Sequence, residues 1–429
     1  MKRSTPFLGL IAVAGALAQQ PAPPAPNLTL EQAKEYALRN NPQIRSANSI
    51  TEAAGSVVKE VRAALFPAVT GLATGVEAQK STILAAGALP TSSLYSRFAS
   101  GIALNQLVTD FGRTQSLTQS AELRREAQGS TGQAVREQVL LQVEQAYFQP
   151  LGGNAALRAA QAAVNNREIA LRQIRALQES AMRSTLDVSF AEVALSQAQL
   201  DVYQTENIAT EAQANLSAAL GLDRADTFTL TDVPAPAALE SSPDPRIQTA
   251  MQKRPELKAL TLTRAAAHRY ADAEARLRLP AVSLLGAAGA IPAGDPRLPE
   301  SYSAAGVNIS IPILNGGLFS ARRAEAEERA AAADSDVRTS AVRIAREVRV
   351  AWLEASTAAR RLDVTSRLVA EANEALRLAQ TRYDAGLGSI VELSQAQLNQ
   401  TSAEIQNATA RYDYLSSRAA LDYATGDLQ

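Results

Sequence analysis

Few side chains in this sequence could do covalent or metal chemistry. Its 429 residues hold no cysteine and one histidine, His268, which excludes disulfides, zinc–thiolate sites, thiol nucleophiles and a lipid-modified N-terminal cysteine. One histidine could still serve a triad or a metal, but "TRAAAHRYADAEAR" around it is an ordinary polar helix face, solvated or packed. The remaining groups are electrostatic. Asp187 and Glu392 occupy the same place in two sibling stretches, "SAMRSTLDVSFAEVALSQAQL" (180–200) and "RYDAGLGSIVELSQAQL" (382–398). An acid near a helix start is stabilising by itself, and neither carboxylate belongs to an acid–base constellation. No enzyme and no cofactor is expected.

The elements that carry these acids are helical hairpins. Gly386 and Gly388 interrupt a helical pattern in which each would cost about 1 kcal/mol, whereas glycine readily ends a helix and reverses the chain. A second helix is expected to resume near Ser389 and to run roughly 35 residues, to Gly426. The sibling stretch turns at Arg183-Ser184-Thr185 without glycine, with Thr185 expected to cap the next helix. Ahead of each tip, after Gly112 and after Gly317, the pattern is helical for roughly 70 residues, about 100 Å. Val348, Ala355, Leu362, Val369, Leu376 and Tyr383 recur every seventh residue, with Ala345, Trp352 and Ala359 as companions: a coiled-coil seam. In the first half the seam runs Val143, Pro150, Leu157, Val164, Leu171, and an interior proline, costing about 3 kcal/mol, predicts a kink or short break at Pro150.

The whole chain is written twice. "NNPQIRSANSITEAAGSVVKEVRAALFPAV" (40–69) aligns with "KRPELKALTLTRAAAHRYADAEARLRLPAV" (253–282), with Pro42 and Pro255 offset by 213 (255 − 42). Further on, "FASGIALNQLVTDFG" aligns with "SAAGVNISIPILNGG" at an offset of 205 (317 − 112 at the closing glycines), which also pairs Tyr147 with Trp352 and Asp187 with Glu392. The lost residues fall between Leu72 and Phe98, in a longer loop of the first half. Each half opens with a helix of roughly 35 residues that ends at Phe66-Pro67 or Leu279-Pro280, since proline forbids continuation. Two strands follow. Val307, Ile309, Ile311 and Ile313 alternate with Asn308, Ser310 and Pro312, a period of two; Phe98, Ile102, Leu104 and Val108 do so more weakly, and "AVTGLATGV" and "AVSLLGAAGAI" supply the partners. The expected organisation is a signal peptide (1–18), a Pro-rich flexible start (19–27), a first repeat (28–222, hairpin 68–108), a linker (223–243) and a second repeat (244–429, hairpin 281–313).

The N-terminal segment has Lys2 and Arg3, an apolar run from Phe7 to Leu17 and Ala16-Leu17-Ala18 before cleavage, the pattern of a secretory signal. No later apolar run is long enough to span a bilayer as a helix. Lys plus Arg number 42 against 43 Asp plus Glu, so no charge excess draws in nucleic acid. If the mature chain enters a membrane, strands must cross. Four strands cannot close a barrel, for which about eight are needed, and open edges in lipid cost several kcal/mol per unpaired group. Identical copies must therefore pool their strands.

In order and spacing, the signal peptide, the duplication, the "FP" and "LP" helix ends, "LNQLVTDFG" and "ISIPILNGG" at the strand-to-helix junctions and "RYDAGLGSIVELSQAQL" at the tip resemble the TolC-like outer-membrane efflux proteins. The resemblance covers the mature chain, Leu28 to Leu428. It implies a mainly α fold with a small β part: a homotrimer with a 12-stranded transmembrane β-barrel, four strands per protomer, and a long periplasmic α-helical barrel in the outer membrane of a Gram-negative-type bacterium. It also implies docking onto a periplasmic adaptor and, through it, an inner-membrane pump of RND, ABC or MFS type. By position it assigns Arg382, Tyr383, Gly386, Leu387, Gly388, Ser389 and Glu392 to the periplasmic aperture and adaptor-docking tip, with Ser184, Thr185 and Asp187 as the first-repeat tip. A ring of Glu392 carboxylates would favour cations and repel itself, so closure would need partner charges; Gln395 stands where relatives often have a second acid. The competing expectation is a soluble periplasmic or extracellular coiled-coil scaffold whose strands form a small sheet.

Overall fold

The computed structural model describes residues 27–428 except 78, 80–82, 85–91, 94–95, 235–237, 295 and 297–298; the expected signal peptide lies outside them. The first half runs β1 (Asn27–Leu28), α1 (Leu30–Asn40), α2 (Pro42–Ala63), β2 (Ala68–Val76), β3 (Ile83–Leu84), β4 (Ser92–Ser93), β5 (Arg97–Thr109), α3 (Arg113–Glu179) and α4 (Thr185–Leu220). The second runs β6 (Thr229–Leu230), α5 (Asp244–Lys253), α6 (Pro255–Ala275), a 3-10 turn, β7 (Ala281–Gly294), β8 (Ser301–Ser310), α7 (Leu318–Asp384) and α8 (Ile390–Thr425). Both long helices have 67 residues and both return helices 36.

Each half opens with two helices where one is expected. The break falls at Asn41-Pro42 and Arg254-Pro255. Proline has no N–H and pushes its predecessor out of the helical region, and Asn41 and Arg254 accordingly have ψ 126 and 118. Asn41 caps α2 by accepting from Gln43 N at 2.9 Å. Arg254 donates instead to Glu256, Glu347 and the carbonyl of Ala424. The prolines that mark the repeat thus also divide its first helix.

Pro150, by contrast, breaks nothing: α3 continues through it. Its neighbours explain why. A Cβ on Gly153 would lie 3.0 Å from Ala209 Cα, and one on Gly152 3.4 Å from the Tyr412 ring. Tight packing of α3 on α4 and α8 keeps the helix unbroken across one missing hydrogen bond. The coiled-coil seam also needs correction. Val348, Ala355 and Tyr383 are buried, but their buried companions are Ile344, Ala351, Thr365, Ala372 and Ala379, not Ala345, Trp352 and Ala359. The companion series starts one residue earlier, a rotation of about 100° that small alanines conceal.

The four long strands form one antiparallel sheet in the order β2-β5-β7-β8, so that β5 and β7 join the two hairpins. Strand β8 stops at Ser310 rather than reaching Ile313, because Pro312 cannot donate to a ladder. Pairing and period two put Val69, Phe98, Ile102, Leu104, Leu284, Val307 and Ile309 on one face. Thr70, Ala103, Ser283, Ala287, Ala304 and Asn308 occupy the other, with a few leucines. Val69, Ile102, Val307 and Ile309 are all more than half exposed, and β2 and β8 each present an unpaired edge among the described residues.

The expected linker contributes structure: β6 pairs in parallel with β1. Tyr147 sits between them, its hydroxyl 2.8 Å from Leu28 O and 2.7 Å from Thr231 O. Burial pushes that phenol up to about 12.

Candidate aperture at the hairpin tips

The second tip uses its two glycines for different reasons. Gly386 has φ +73 with nothing near its missing Cβ, so glycine serves the left-handed backbone. Gly388 has no such φ, but a Cβ there would lie 3.1 Å from Tyr383 N and 3.2 Å from Arg382 Cβ; its smallness serves the turn's own packing. Leu387 N and Gly388 N both donate to Arg382 O, closing α7, and Ser389 Oγ accepts from Glu392 N at 3.1 Å to open α8. The side chain of Leu387 is 74% exposed at the apex.

The first tip makes the same turn with alanine: Ala181, offset 205 from Gly386, has φ 58. Its cap is Ser184 rather than Thr185. Ser184 Oγ accepts from Asp187 N at 3.2 Å while Ser184 N donates to Asp187 Oδ2 at 3.0 Å, a reciprocal capping box. Thr185 is the first helical residue because only the preceding, extended position aims a hydroxyl at the free N–H groups. A left-handed alanine costs about 1–2 kcal/mol, so Ala181→Gly should raise thermal stability by about 1 kcal/mol. An unchanged or lower melting temperature would show that Ala181 carries no strain.

Glu392 is paired within its own hairpin. Arg382 Nε lies 3.2 Å from Glu392 Oε1, and Arg382 Nη2 donates to Leu387 O at 3.3 Å. Both side chains are about half exposed, which limits the pair to a few tenths to 1 kcal/mol; its effect is to cancel the carboxylate charge. Gln395 bonds to Asn399. Asp187 is occupied by its cap.

Tyr383 brings the two tips together. It is buried with Leu171, Ile174, Ala191, Ala379, Ile390 and Leu393, and among the described residues its hydroxyl has no hydrogen-bond partner. Burial first, and the charge of Asp187 second, push that phenol up. The guanidinium of Arg183 lies over its ring at 3.9 Å and donates to its carbonyl at 2.5 Å. Sequence reasoning places Arg183 in the turn without a role. The available signal is the 205 offset, which sets this cation opposite Gly388. His268, as expected, is an exposed helix residue, 3.4 Å from Asp334. Among the described residues no cluster of acids and histidines is placed to hold a metal, and no helix is long and apolar enough to cross a membrane.

Two 67-residue helices, their hairpin returns and a four-stranded sheet with an exposed apolar face make up a fold that known proteins share. The family described as "Outer membrane efflux protein" matches residues 35–222 and 246–427. The chain belongs to that family. Outer membrane protein OprJ of Pseudomonas aeruginosa is 26% identical, covering 88% of this chain and 79% of the relative. Protein CyaE of Bordetella pertussis is 28% identical over 95% and 86%, and outer membrane protein TolC of Vibrio cholerae 26% over 92% and 89%. Among solved structures, the outer-membrane channel OprN superposes with a TM-score of 0.80 at 22% identity, covering 92% and 89%. The open state of the Neisseria gonorrhoeae MtrE channel gives 0.75 at 20%, covering 93% and 89%; these likenesses speak for the fold alone. The present family member is thus an outer-membrane efflux channel protein, mainly α with a small β part, and not a soluble scaffold.

Proposed function

We propose that three copies of this chain form a passive duct: their sheets close a 12-stranded barrel in the outer membrane, and their long helices form a periplasmic tube of about 100 Å. The observation that carries this reading is the sheet, whose apolar face is exposed and whose two edges are unpaired in one protomer. Both features suit a closed barrel in lipid and neither suits water. No catalytic role is assigned to any residue. The aperture residues Arg382, Tyr383, Gly386, Leu387, Gly388, Ser389 and Glu392, with Ser184, Thr185 and Asp187 opposite, form the periplasmic mouth. There a periplasmic adaptor docks and couples the duct to an inner-membrane pump of RND, ABC or MFS type.

The apex tests docking. Leu387 contributes little to the hairpin, so Leu387→Asp should leave trimers and the melting temperature unchanged while export falls at least tenfold, because a charge placed in an apolar contact must be desolvated without a partner. Normal export by this variant would remove the tip from the docking surface. Gly388→Trp is a poorer probe, since it disturbs the turn itself.

A further inference from the structure

A groove of about 280 Å³ opens between α4 and α8, starting in the first turns beyond the tips and running from Val391 to Thr401 along α8, with α3 as its floor. Its rim is apolar and wet: Val193 is 66% exposed, Val391 53% and Leu398 46%. Its floor is a charge. Arg167 is only 6% exposed, and it stands in the heptad series Val139, Ala146, Gly153, Ala160, Arg167, Ile174, all buried and otherwise apolar or glycine. The equivalent residue of the second half, 205 positions on, is Ala372. A guanidinium therefore replaces an alanine-sized core residue in one half alone, beneath an open groove.

Within the protomer this cation is poorly answered. Among the described residues its one hydrogen bond runs from Nη2 to the neutral Thr401 Oγ1 at 3.2 Å, and it forms no ion pair within 4 Å. The two nearby acids are engaged elsewhere. Asp201 on the groove wall accepts from Gln197. Glu404, whose field supports the Arg167 charge, accepts from Gln400. Burying a charge is unfavourable by several kcal/mol unless a well-placed counter-charge accompanies it, and the planar fork of arginine is best matched by a carboxylate. Long parallel walls with aliphatic rims suit a helix laid lengthwise, which inserts one side chain per turn.

We propose that this groove receives a Glu or Asp side chain from a helix of the periplasmic adaptor, with Arg167 as its counter-ion and Val193, Val391 and Leu398 packing on the apolar residues beside it. The inference rests on the adaptor docking proposed above and adds to it the chemistry of one contact.

The test uses the full-length protein in detergent and the purified adaptor of the same host. Arg167→Gln should weaken adaptor binding at least tenfold and flatten its salt dependence, since the paired charge is gone, while trimer mass stays that of wild type and the melting temperature does not fall. In cells, Arg167→Glu should abolish export. Selection for restored export should then yield adaptor mutants in which a single Asp or Glu of a helix has become Lys or Arg. Wild-type affinity and salt dependence in Arg167→Gln would overturn the proposal. So would suppressors confined to Asp201 or Glu404, which would make the pairing internal. So would monomers in the Arg167→Glu preparation, which would make a second copy the occupant of the groove. Leu387→Asp separates the two readings: if it abolishes export while Arg167→Gln binds normally, the Arg167 contact alone fails, and docking at the tips stands.

Discussion

Replacing Arg183 with alanine should raise the conductance of the reconstituted channel several-fold and make cells carrying it permeable to large antibiotics that intact outer membranes exclude. Beside the apolar cluster that the two hairpins share, Arg183 is the polar contact by which the first hairpin tip holds the second, with its guanidinium 3.9 Å from the Tyr383 ring and a hydrogen bond to the Tyr383 carbonyl. A partly desolvated cation–π contact is worth about 1–2 kcal/mol and a hydrogen bond from a charged donor about 1.5–3 kcal/mol. Even about 2 kcal/mol lost in each protomer shifts a closed-to-open ratio by roughly thirtyfold per tip, and the proposed trimer has three such contacts. Two controls sharpen the outcome. Arg183→Lys keeps the charge but not the planar stack, and should fall between the two. Tyr383→Phe keeps both ring and carbonyl and removes only a buried hydroxyl that has no partner among the described residues, so it should leave the conductance at the wild-type value. Equal conductance for Arg183→Ala and wild type would show that the mouth is held by other contacts.

The second large effect is expected in the sheet, where neighbouring residues face opposite ways. Val307→Arg should abolish membrane assembly, whereas Asn308→Arg should assemble and change ion selectivity. Val307 pairs with Leu284 on the apolar face, and Asn308 with Ser283 on the small, polar face. An arginine on the lipid side of a barrel costs about 2–4 kcal/mol at the membrane midplane, and a homotrimer repeats that penalty three times. An arginine on the lumen side stays hydrated and adds three positive charges to the conduit. Heat-modifiable trimers in detergent gels and reversal potentials in bilayers read the two outcomes. If the two variants behaved alike, the face assignment, and with it the closed barrel, would be lost.

Much of the molecule follows from local rules. Alternation marks Val307 and Ile309 as one face of a strand. The heptads carry the long helices to their full length, and the glycines at 386 and 388 place the tip. The misreadings have equally specific causes. Pro42 and Pro255 were informative as repeat landmarks, and their second meaning, a divided helix, follows from the same chemistry. At Pro150 the helix runs on without the break that the local cost alone allows, since packing of Gly152 and Gly153 against α8 and α4 outweighs one lost hydrogen bond. The companion seam lies one residue earlier than the heptads suggest because both candidates are apolar in each pair, Ile344/Ala345, Ala351/Trp352 and Ala358/Ala359, which leaves hydrophobicity nearly even there.

The sequence by itself determined the duplicated plan, the long hairpins, the strands and hence the family, because helix period, strand alternation, proline and glycine act through backbone geometry within a few residues of themselves. The tertiary structure alone decided that β5 joins β7, that Arg382 neutralises Glu392, that Arg183 stacks on Tyr383, and that Arg167 lies under an open groove. Those contacts depend on the rotation and offset of packed elements, and in a sequence rich in alanine that rotation is set by interdigitation between helices, which no local pattern encodes.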